Sequence, residues 1–308
     1  MQMKQTTMTN NKYSQASYEN DKNAYTTPSP VGIFVGMTNM DYVYYTDTYP
    51  EPNTKIRTEE YQRYIGGPAA NAAITYALLG GNAMLFTCLG NSTEAILLKN
   101  ELGEYGVNVV DCATDDAMPN ISTIVIDKNG NRTIFSGQTV YRHTEGMDRY
   151  GLPINAAFAL FDLNQQEIAL TMLNKMPCEI VLDAGSWKPN ADEFLKRAAV
   201  VISSEKFVNP QGNNALDMSE CTHALTAVTR GEKSILTKTG SINVPKVECI
   251  DSLAAGDIFH GAFCYGYYIE KMQFDAALAW AASIASESVR YVGPREWCKK
   301  MHTQPRPL

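Results

Sequence analysis

The stretch DSLAAGDIFHGA, residues 251–262, places small residues directly before a predicted helix and an acid in its first turn. Unpaired backbone N–H groups at a helix N-terminus, helped by the helix dipole, can hold a phosphate group. Ala254, Ala255 and Gly256 leave room for its approach, and Asp257 beside them could take a proton from an attacking hydroxyl. The alternative is structural, because a first-turn acid also compensates the helix dipole.

Outside this stretch, short apolar runs alternate with helix-forming segments along most of the chain. Strands are predicted at 31–35, 83–88, 107–110, 157–163, 179–183, 199–202 and 224–229, and helices at 69–79, 93–105, 166–175, 191–197, 256–271 and 274–291. Such alternation is typical of right-handed βαβ units. It predicts an α/β fold with a mostly parallel sheet.

Two regions have a different pattern. Residues 41–65 mix Tyr, Thr and Val with prolines, which indicates two short, partly exposed strands around a turn. Residues 122–126 and 132–135 flank the turn DKNG and predict a β-hairpin.

Composition limits the partners and the compartment. The 308 residues carry a formal net charge of −7, which argues against a nucleic-acid partner. No apolar run approaches the ~18 residues that a membrane-spanning helix needs, so no membrane partner is expected. The seven cysteines are scattered without metal-ligand spacing, which predicts reduced thiols in a cytoplasmic protein and no metal-ligating residues.

Residues 1–29 are polar and predict a disordered tail.

Residues 251–262 resemble the signature Asp-Thr-x-Gly-Ala-Gly-Asp-x-Phe of the ribokinase-like, or PfkB, family of carbohydrate kinases. Ser252 stands for the Thr and Ala254 for the first Gly, and neither change removes a functional group. GGPAANAA at 66–73 matches the family's N-terminal pattern Gly-Gly-x-x-x-Asn-x-Ala. Alone, this second motif is only a tight helix entry, but both motifs in this order make coincidence improbable.

The resemblance covers roughly residues 31–295. It implies a three-layer, Rossmann-like ribokinase fold with a mostly parallel sheet and a small β lid. The kinase domain would span residues 30–308, with lid segments near 37–65 and 117–141.

The resemblance also implies roles for the matching positions. Asp257 would be the catalytic base, next to the phosphate-binding residues Ala254, Ala255 and Gly256. The sugar would meet an Asn-x-Asp motif at the end of the first strand and the glycine-rich motif, at Asn39, Asp41, Gly66, Gly67 and Asn71. A carboxylate such as that of Asp41 can accept hydrogen bonds from two neighbouring hydroxyls, although a strand-end cap is the plain alternative.

The nucleotide would bind near TRGEK, residues 229–233, which is similar to the family's Thr-x-Gly-x-x-Gly with Ser234 in place of the last Gly. Thr229, Gly231 and Ser252 are the expected nucleotide contacts. The implied cofactors are ATP and Mg²⁺, with K⁺ as an activator by analogy to ribokinases. The implied partners are a small sugar and ATP, and a second copy of the chain through the β lid.

The sequence departs from the family after the strand at 199–202. Many members carry Asn-x-x-Glu there, near the magnesium, whereas this chain reads SSEKF at 203–207. Ser204 then stands for the Asn and Phe207 for the Glu. Glu205 is either a compensating acid or a helix-start residue. Ketohexokinase-like members also lack this motif.

In motif detail the chain is most similar to sulfofructose kinases. Lys55 matches a lysine that those enzymes direct at the anionic end of the substrate, and Asn164 stands where their arginine is expected, so both are candidate substrate contacts. A sulfonate needs a doubled or bidentate cation, and the missing arginine weakens this interpretation.

Three functions remain open. The leading one is an ATP-dependent kinase that phosphorylates a hydroxyl of a ketose or pentose. The second is a nucleoside kinase of the same fold, for which Tyr42, Tyr44 and Tyr45 could form an aromatic slot. The third is a non-catalytic sugar- or nucleotide-binding relative, against which the retained Asp257 speaks.

Overall fold

The computed structural model describes residues 30–58, 61–113, 118–137, 151–219 and 223–301. The predicted tail at 1–29 lies outside the described residues, as do residue 117 and residues 138–141 of the second lid segment. The tail's disorder and the outer limits of the domain therefore stay predictions.

Thirteen strands and eight α-helices make up the described part of the chain. The strands are β1 (Val31–Val35), β2 (Asn39–Thr46), β3 (Tyr61–Gly66), β4 (Asn82–Thr87), β5 (Val107–Asp111), β6 (Asn120–Asp127), β7 (Arg132–Ser136), β8 (Ala156–Phe161), β9 (Glu179–Ala184), β10 (Ala198–Ser204), β11 (Leu225–Arg230), β12 (Lys233–Thr237) and β13 (Gly240–Ile242). The helices are α1 (Pro68–Leu78), α2 (Thr93–Glu104), α3 (Gln166–Leu173), α4 (Ala191–Arg197), α5 (Ala215–Met218), α6 (Ala255–Cys264), α7 (Phe274–Ser288) and α8 (Glu296–Met301).

Nine strands form the main sheet in the order β13-β12-β11-β10-β9-β8-β1-β4-β5. Neighbours from β5 to β11 are parallel, and β12 and β13 extend the sheet in antiparallel fashion at one edge. Because successive strand residues face opposite sides, Phe34 packs with α1, α6 and α7, whereas Ile33 packs with α3 and α4. The result is the predicted three-layer α/β fold.

Four strands form a second, smaller sheet in the order β3-β2-β6-β7. On one face Val43, Ile124 and Ile126 pack against Leu253, which lies two residues before the start of α6. The opposite face carries Tyr44, whose ring stacks on that of Tyr61 at 5.8 Å. The small sheet therefore lies against the segment that leads into α6.

The helix predicted over 256–271 is shorter than expected. α6 ends at Cys264 and continues as a π-helix over Tyr265–Ile269. The Tyr268 ring stacks on Phe158 at 4.7 Å, and its hydroxyl donates to Glu179 at 2.9 Å. We attribute the wider π-helical turn to these contacts of Tyr268 with the sheet rather than to helix propensity. Among the described residues, no helix has the length and apolar character needed to cross a membrane.

Candidate active site

Polar side chains gather at the carboxyl ends of four parallel strands, on the face of the main sheet that α6 covers. Asp162 follows β8, Asp183 and Thr229 lie near the ends of β9 and β11, and Ser204 ends β10. Side chains two residues apart on a strand point to the same face of the sheet. Two residues before each of these polar residues, the strand carries a side chain that packs in the core on the α6 side, in the same order Leu160, Val181, Ala227 and Ile202. Ligand sites in open α/β sheets lie at this edge.

Asp257, in the first turn of α6, is held by a chain of hydrogen bonds. Asn71 Nδ2 donates to Asp257 Oδ2 at 2.7 Å, and Arg295 Nη2 donates to Asn71 Oδ1. A guanidinium can only donate, so Arg295 fixes which end of the Asn71 amide faces Asp257. Burial and the charge of Asp183 raise the pKa of Asp257 to about 7. Such a carboxyl is suited to take up a proton near neutral pH.

Arg295 is the site residue that sequence reasoning missed. It is buried, and its guanidinium carbon lies 5.8 Å from the centre of the Tyr105 ring. Burial lowers the pKa of Arg295, while the charges of Asp257 and Asp41 favour its charged form. In the sequence, Arg295 is a single arginine after Gly-Pro at the end of a helical region. No local pattern there predicts that its side chain is buried in the site.

Asp41 is the centre of a second polar group, on the face of the small sheet that carries Val43. Asn39 Nδ2 donates to Asp41 Oδ1 and lies 3.2 Å from Ser122 Oγ. Burial raises the pKa of Asp41 to about 6, although hydrogen bonds from Ser122 and Asn39 and the charge of Arg295 act in the opposite direction. A side chain at Gly66 would overlap the Asp41 carboxylate. The predicted position was wrong in one respect, because Asn39 and Asp41 lie in β2 rather than at the end of β1.

Gly67 brings the two polar groups together. Its φ is 97°, in the region that favours glycine, and a side chain there would overlap the carbonyl of Met37. The chain that leads into β2 therefore packs directly on the start of α1, which carries Asn71.

Asp162 fixes the same junction from the sheet side. Its carboxylate accepts hydrogen bonds from the backbone N–H groups of Met37 at 2.8 Å, Ala69 at 3.1 Å and Asn164 at 2.8 Å. Burial raises the pKa of Asp162 to about 6. One side chain thus joins the ends of β1 and β8 to the first turn of α1.

The segment before α6 has the tight geometry expected of a phosphate-binding loop. Ala254 has a φ of 59°, a left-handed conformation that lets α6 begin at Ala255. Asp251 accepts hydrogen bonds from the N–H of Leu253 at 2.9 Å and from the Tyr45 hydroxyl at 3.0 Å. The Ser252 carbonyl accepts from Arg132 Nη1 of the small sheet at 2.7 Å.

The predicted nucleotide loop is a tight hairpin between β11 and β12. Gly231 has a φ of 63° in its turn, and Arg230 pairs with Lys233 across it. The Thr229 hydroxyl donates to the Ser203 carbonyl at 3.1 Å. Ser234 lies within β12, so the missing family glycine does not disturb the turn.

The two remaining predicted substrate contacts, Lys55 and Asn164, lie in loops that follow β2 and β8. Lys55 is exposed in the loop between β2 and β3. Asn164 uses its backbone N–H and Nδ2 to bind Asp162 Oδ1 and the Asp162 carbonyl, at 2.8 and 3.2 Å. Both candidates came from the sulfosugar interpretation, and their role as substrate contacts stays a prediction.

The region that departs from Asn-x-x-Glu is structural. Phe207 is fully buried and packs on Trp187 with ring centres 5.2 Å apart. Ser204 Oγ donates to the Gly185 carbonyl at 2.5 Å, and Glu205 is exposed. The described residues contain no cluster of three or more metal-ligating side chains.

The fold is of the α/β class, and the site combines a carboxylate at a helix N-terminus with a second carboxylate in the small sheet. The chain belongs to the pfkB family of carbohydrate kinases, whose sequence pattern it matches over residues 33–300. The predicted fold class and enzyme class are thereby confirmed.

Relatives of known activity align over most of the chain. A ribokinase of Haemophilus influenzae is 23% identical over 84% of this chain and 92% of its own. A nucleoside kinase of Methanocaldococcus jannaschii is 27% identical over 77% of this chain and 84% of its own. The structure of Arabidopsis thaliana ribokinase complexed with ribose and ATP has a TM-score of 0.68 at 19% identity, covering 90% of this chain and 100% of that one. A nearer relation to sulfofructose or ketohexokinase-like enzymes is not confirmed.

Gly256 offers a direct test of the phosphate-binding loop. A Cβ at Gly256 would meet nothing within 4 Å, and Ala stabilises a helix by about 0.5–1 kcal/mol relative to Gly. We expect Gly256→Ala to raise the free energy of unfolding slightly and to lower kcat/KM for ATP at least about tenfold, because the methyl group enters the space of the phosphate.

Gly103→Ala is the matched control, since a Cβ in this helical position also meets nothing within 4 Å. It should raise stability by a similar amount and leave kinetics unchanged. Urea unfolding and steady-state kinetics of both variants decide the question. Unaltered kinetics in Gly256→Ala would place the phosphate elsewhere.

Proposed function

We propose that the protein transfers the γ-phosphate of ATP to a hydroxyl of a small sugar of the pentose type. The observation that carries this proposal is the relation of Asp257 to Asp41. Asp257 lies at the N-terminus of α6, Asp41 faces the same site from the small sheet, and the charge of Arg295 acts on both. A base, an anion-binding helix end and a polyol-binding carboxylate are the groups that this reaction needs.

In the proposed reaction, Asp257 Oδ1 takes the proton of the acceptor hydroxyl while Asn71 holds Oδ2. Oδ1 receives no hydrogen bond from the described residues, so it is free to do so. The hydroxyl oxygen forms a bond to the γ-phosphorus, and the bond to the bridging oxygen breaks with its electron pair leaving on ADP. The N–H groups at the start of α6 stabilise the charge on the transferred group.

Mg²⁺, when bound to ATP, neutralises the phosphate charge. Its ligands would be phosphate oxygens, water and a carboxylate at this edge of the sheet, for which Asp183 near the end of β9 is the candidate. Activation by K⁺ is proposed by analogy to ribokinases. Thr229 and Gly231 would border the nucleotide, and Ser252 would lie at its phosphates.

A pentose is preferred over the other acceptors on two grounds. A ribokinase is among the relatives aligned over most of the chain, whereas Lys55 and Asn164 give no support for an anionic ketose. A nucleoside is the second candidate, favoured by the aligned nucleoside kinase. Tyr44 belongs to the outer face of the small sheet and the Tyr45 hydroxyl binds Asp251 at 3.0 Å, so a base would need a different slot.

The test is an ATP-consumption screen with ribose, fructose, fructose 6-phosphate, sulfofructose and adenosine, with ³¹P NMR of the product. We expect fastest turnover with a pentose and none in excess EDTA. Preference for adenosine would replace the sugar by a nucleoside. Full activity in EDTA, or binding of ligands without any turnover, would overturn the kinase function.

Asp41→Ala tests the sugar contact. Loss of a charged partner to a hydroxyl costs about 1.5–3 kcal/mol, or roughly ten- to a hundredfold in affinity. We expect KM for the sugar to rise by this factor and the Kd for ATP to stay within a few-fold by calorimetry. Asp47→Ala, in an exposed position just beyond β2, should change neither. An unchanged KM would remove Asp41 from the site.

The outer face of the small sheet is the proposed interface of a homodimer. Tyr61 and Phe135 are 61% and 57% exposed, and large exposed side chains on one sheet face favour association. Sedimentation should show a dimer, and Phe135→Lys should shift it towards monomer.

A further inference from the structure

An open cavity of about 850 Å³ lies at the edge of the main sheet opposite the candidate active site. Its wall includes Ala156 and Glu179, which begin β8 and β9, whereas the polar residues of the active site lie at the carboxyl ends of the same strands. The π-helix that follows α6 contributes a second wall. A helix rises about 1.5 Å per residue, which puts the cavity roughly 20 Å from Asp257. The cavity therefore has no part in the proposed reaction.

Two cationic side chains line this cavity without a partner. Arg197 ends α4 and Lys271 follows the π-helix, and both are exposed to solvent. In the part of the chain that the structure describes, neither side chain makes a hydrogen bond or an ion pair. The neighbouring Lys196, by contrast, pairs with Glu193 at 2.8 Å. Two unpaired cations at one cavity favour a ligand with a phosphate group, which accepts several charge-assisted hydrogen bonds.

The backbone of Lys271 has an unfavourable conformation for a residue with a side chain. Its φ is 55°, and the N–H of the next residue, Met272, donates to the Gly266 carbonyl at 3.0 Å. Glycine is the usual residue at this position of a helix end, because a Cβ in the left-handed region costs conformational energy. A lysine also compensates the dipole at a helix C-terminus, so a structural role and a ligand-binding role must be separated by experiment.

The cavity also offers groups that suit hydroxyls. Glu179 accepts a hydrogen bond from the Tyr268 hydroxyl at 2.9 Å through Oε2, and no described residue donates to Oε1. Burial and the charge of Glu179 raise the pKa of Tyr267, so the Tyr267 hydroxyl stays protonated and can donate. Because Glu179 is the one carboxylate beside two cations in the described lining, the cavity keeps a net positive charge.

We propose that this cavity is a second ligand site of the protein and takes the phosphate ester of a small polyhydroxylated molecule. Arg197 and Lys271 hold the phosphate, and Glu179 and Tyr267 contact the hydroxyls. The volume of the cavity is within the roughly 300–1,000 Å³ of small-molecule sites. The site is independent of the proposed kinase function, because it lies at the opposite edge of the sheet.

Calorimetry with ribose 5-phosphate as the probe tests the site. Because the active site is itself proposed to bind a sugar through Asp41, the titrations are made on Asp41→Ala protein as well as on wild type. We expect binding to both. Adding Arg197→Gln should weaken it at least about tenfold, because a charge-assisted hydrogen bond is lost. Lys196→Gln is the matched control, since it removes the same charge one residue away, outside the cavity, and should leave the affinity unchanged.

Lys271→Gly separates binding from the structural role, because it removes the cation and supplies the residue that the backbone favours. We expect the urea midpoint to stay the same or to rise, and the affinity for ribose 5-phosphate to fall at least about tenfold. A lower midpoint with unchanged affinity would show a helix-end cation only and overturn the proposal.

Two further probes test the chemistry of the ligand. Ribose lacks the phosphate and inorganic phosphate lacks the hydroxyls, so both should bind Asp41→Ala protein at least about tenfold more weakly than ribose 5-phosphate. The proposal is overturned if ribose 5-phosphate does not bind Asp41→Ala protein, if Arg197→Gln binds it as tightly as before, or if inorganic phosphate binds equally well.

Discussion

Asp257→Asn is expected to lower kcat at least about a hundredfold while the dissociation constants for ATP and sugar change by only a few-fold. General-base catalysis contributes typically 10²–10⁴-fold, and an amide cannot take the proton of the hydroxyl. The geometry sharpens this expectation. Asn71 is orientated by Arg295 and donates to position 257, so the new amide must turn its oxygen to Asn71 and its NH₂ group towards the substrate.

Single-turnover phosphoryl transfer beside calorimetric binding measures the two effects separately. Asp275→Asn is the matched control, because Asp275 is an exposed first-turn acid of α7. It should cost about 0.3–1 kcal/mol of stability through the helix dipole and no activity. If Asp257→Asn behaved like this control, Asp257 would be an ordinary helix-start residue and the base assignment would be abandoned.

Asp162→Ala is expected to lower the free energy of unfolding by at least about 3 kcal/mol, because it leaves three backbone N–H groups without their partner and each buried unpaired donor costs about 1–3 kcal/mol. The three groups belong to Met37, Ala69 and Asn164. Since Met37 leads into β2 and Ala69 begins α1, sugar affinity should fall together with stability.

Asp111→Ala separates the two effects. Asp111 accepts backbone hydrogen bonds from Leu89 at 2.9 Å and Ala113 at 3.1 Å and pairs with Lys99 at the edge strand β5. Its loss should destabilise the protein comparably in urea unfolding and leave sugar affinity of the folded protein unchanged. Equal losses of affinity in both variants, or a loss of stability below about 1 kcal/mol in Asp162→Ala, would contradict the role given to Asp162.

Most of the fold could be predicted from local patterns. Buried runs such as VGIFV at 31–35 and the alternation of strands and helices are set by short-range periodicity, and the structure places elements in each of those segments. Short polar elements were missed, namely β12, β13, α5 and α8. They lack the apolar period that marks an element in a sequence.

The sequence by itself determined the α/β class, the base candidate and the sugar-binding candidates, because these depend on residue types at fixed local spacing. Only the tertiary structure decided that Asn71 faces Asp257 across 186 residues and that Arg295 orients it. It also placed Phe207 in the core. The physical reason is that a parallel sheet brings together the carboxyl ends of strands far apart in the chain, and the charges that meet there are set by burial and distance rather than by sequence spacing.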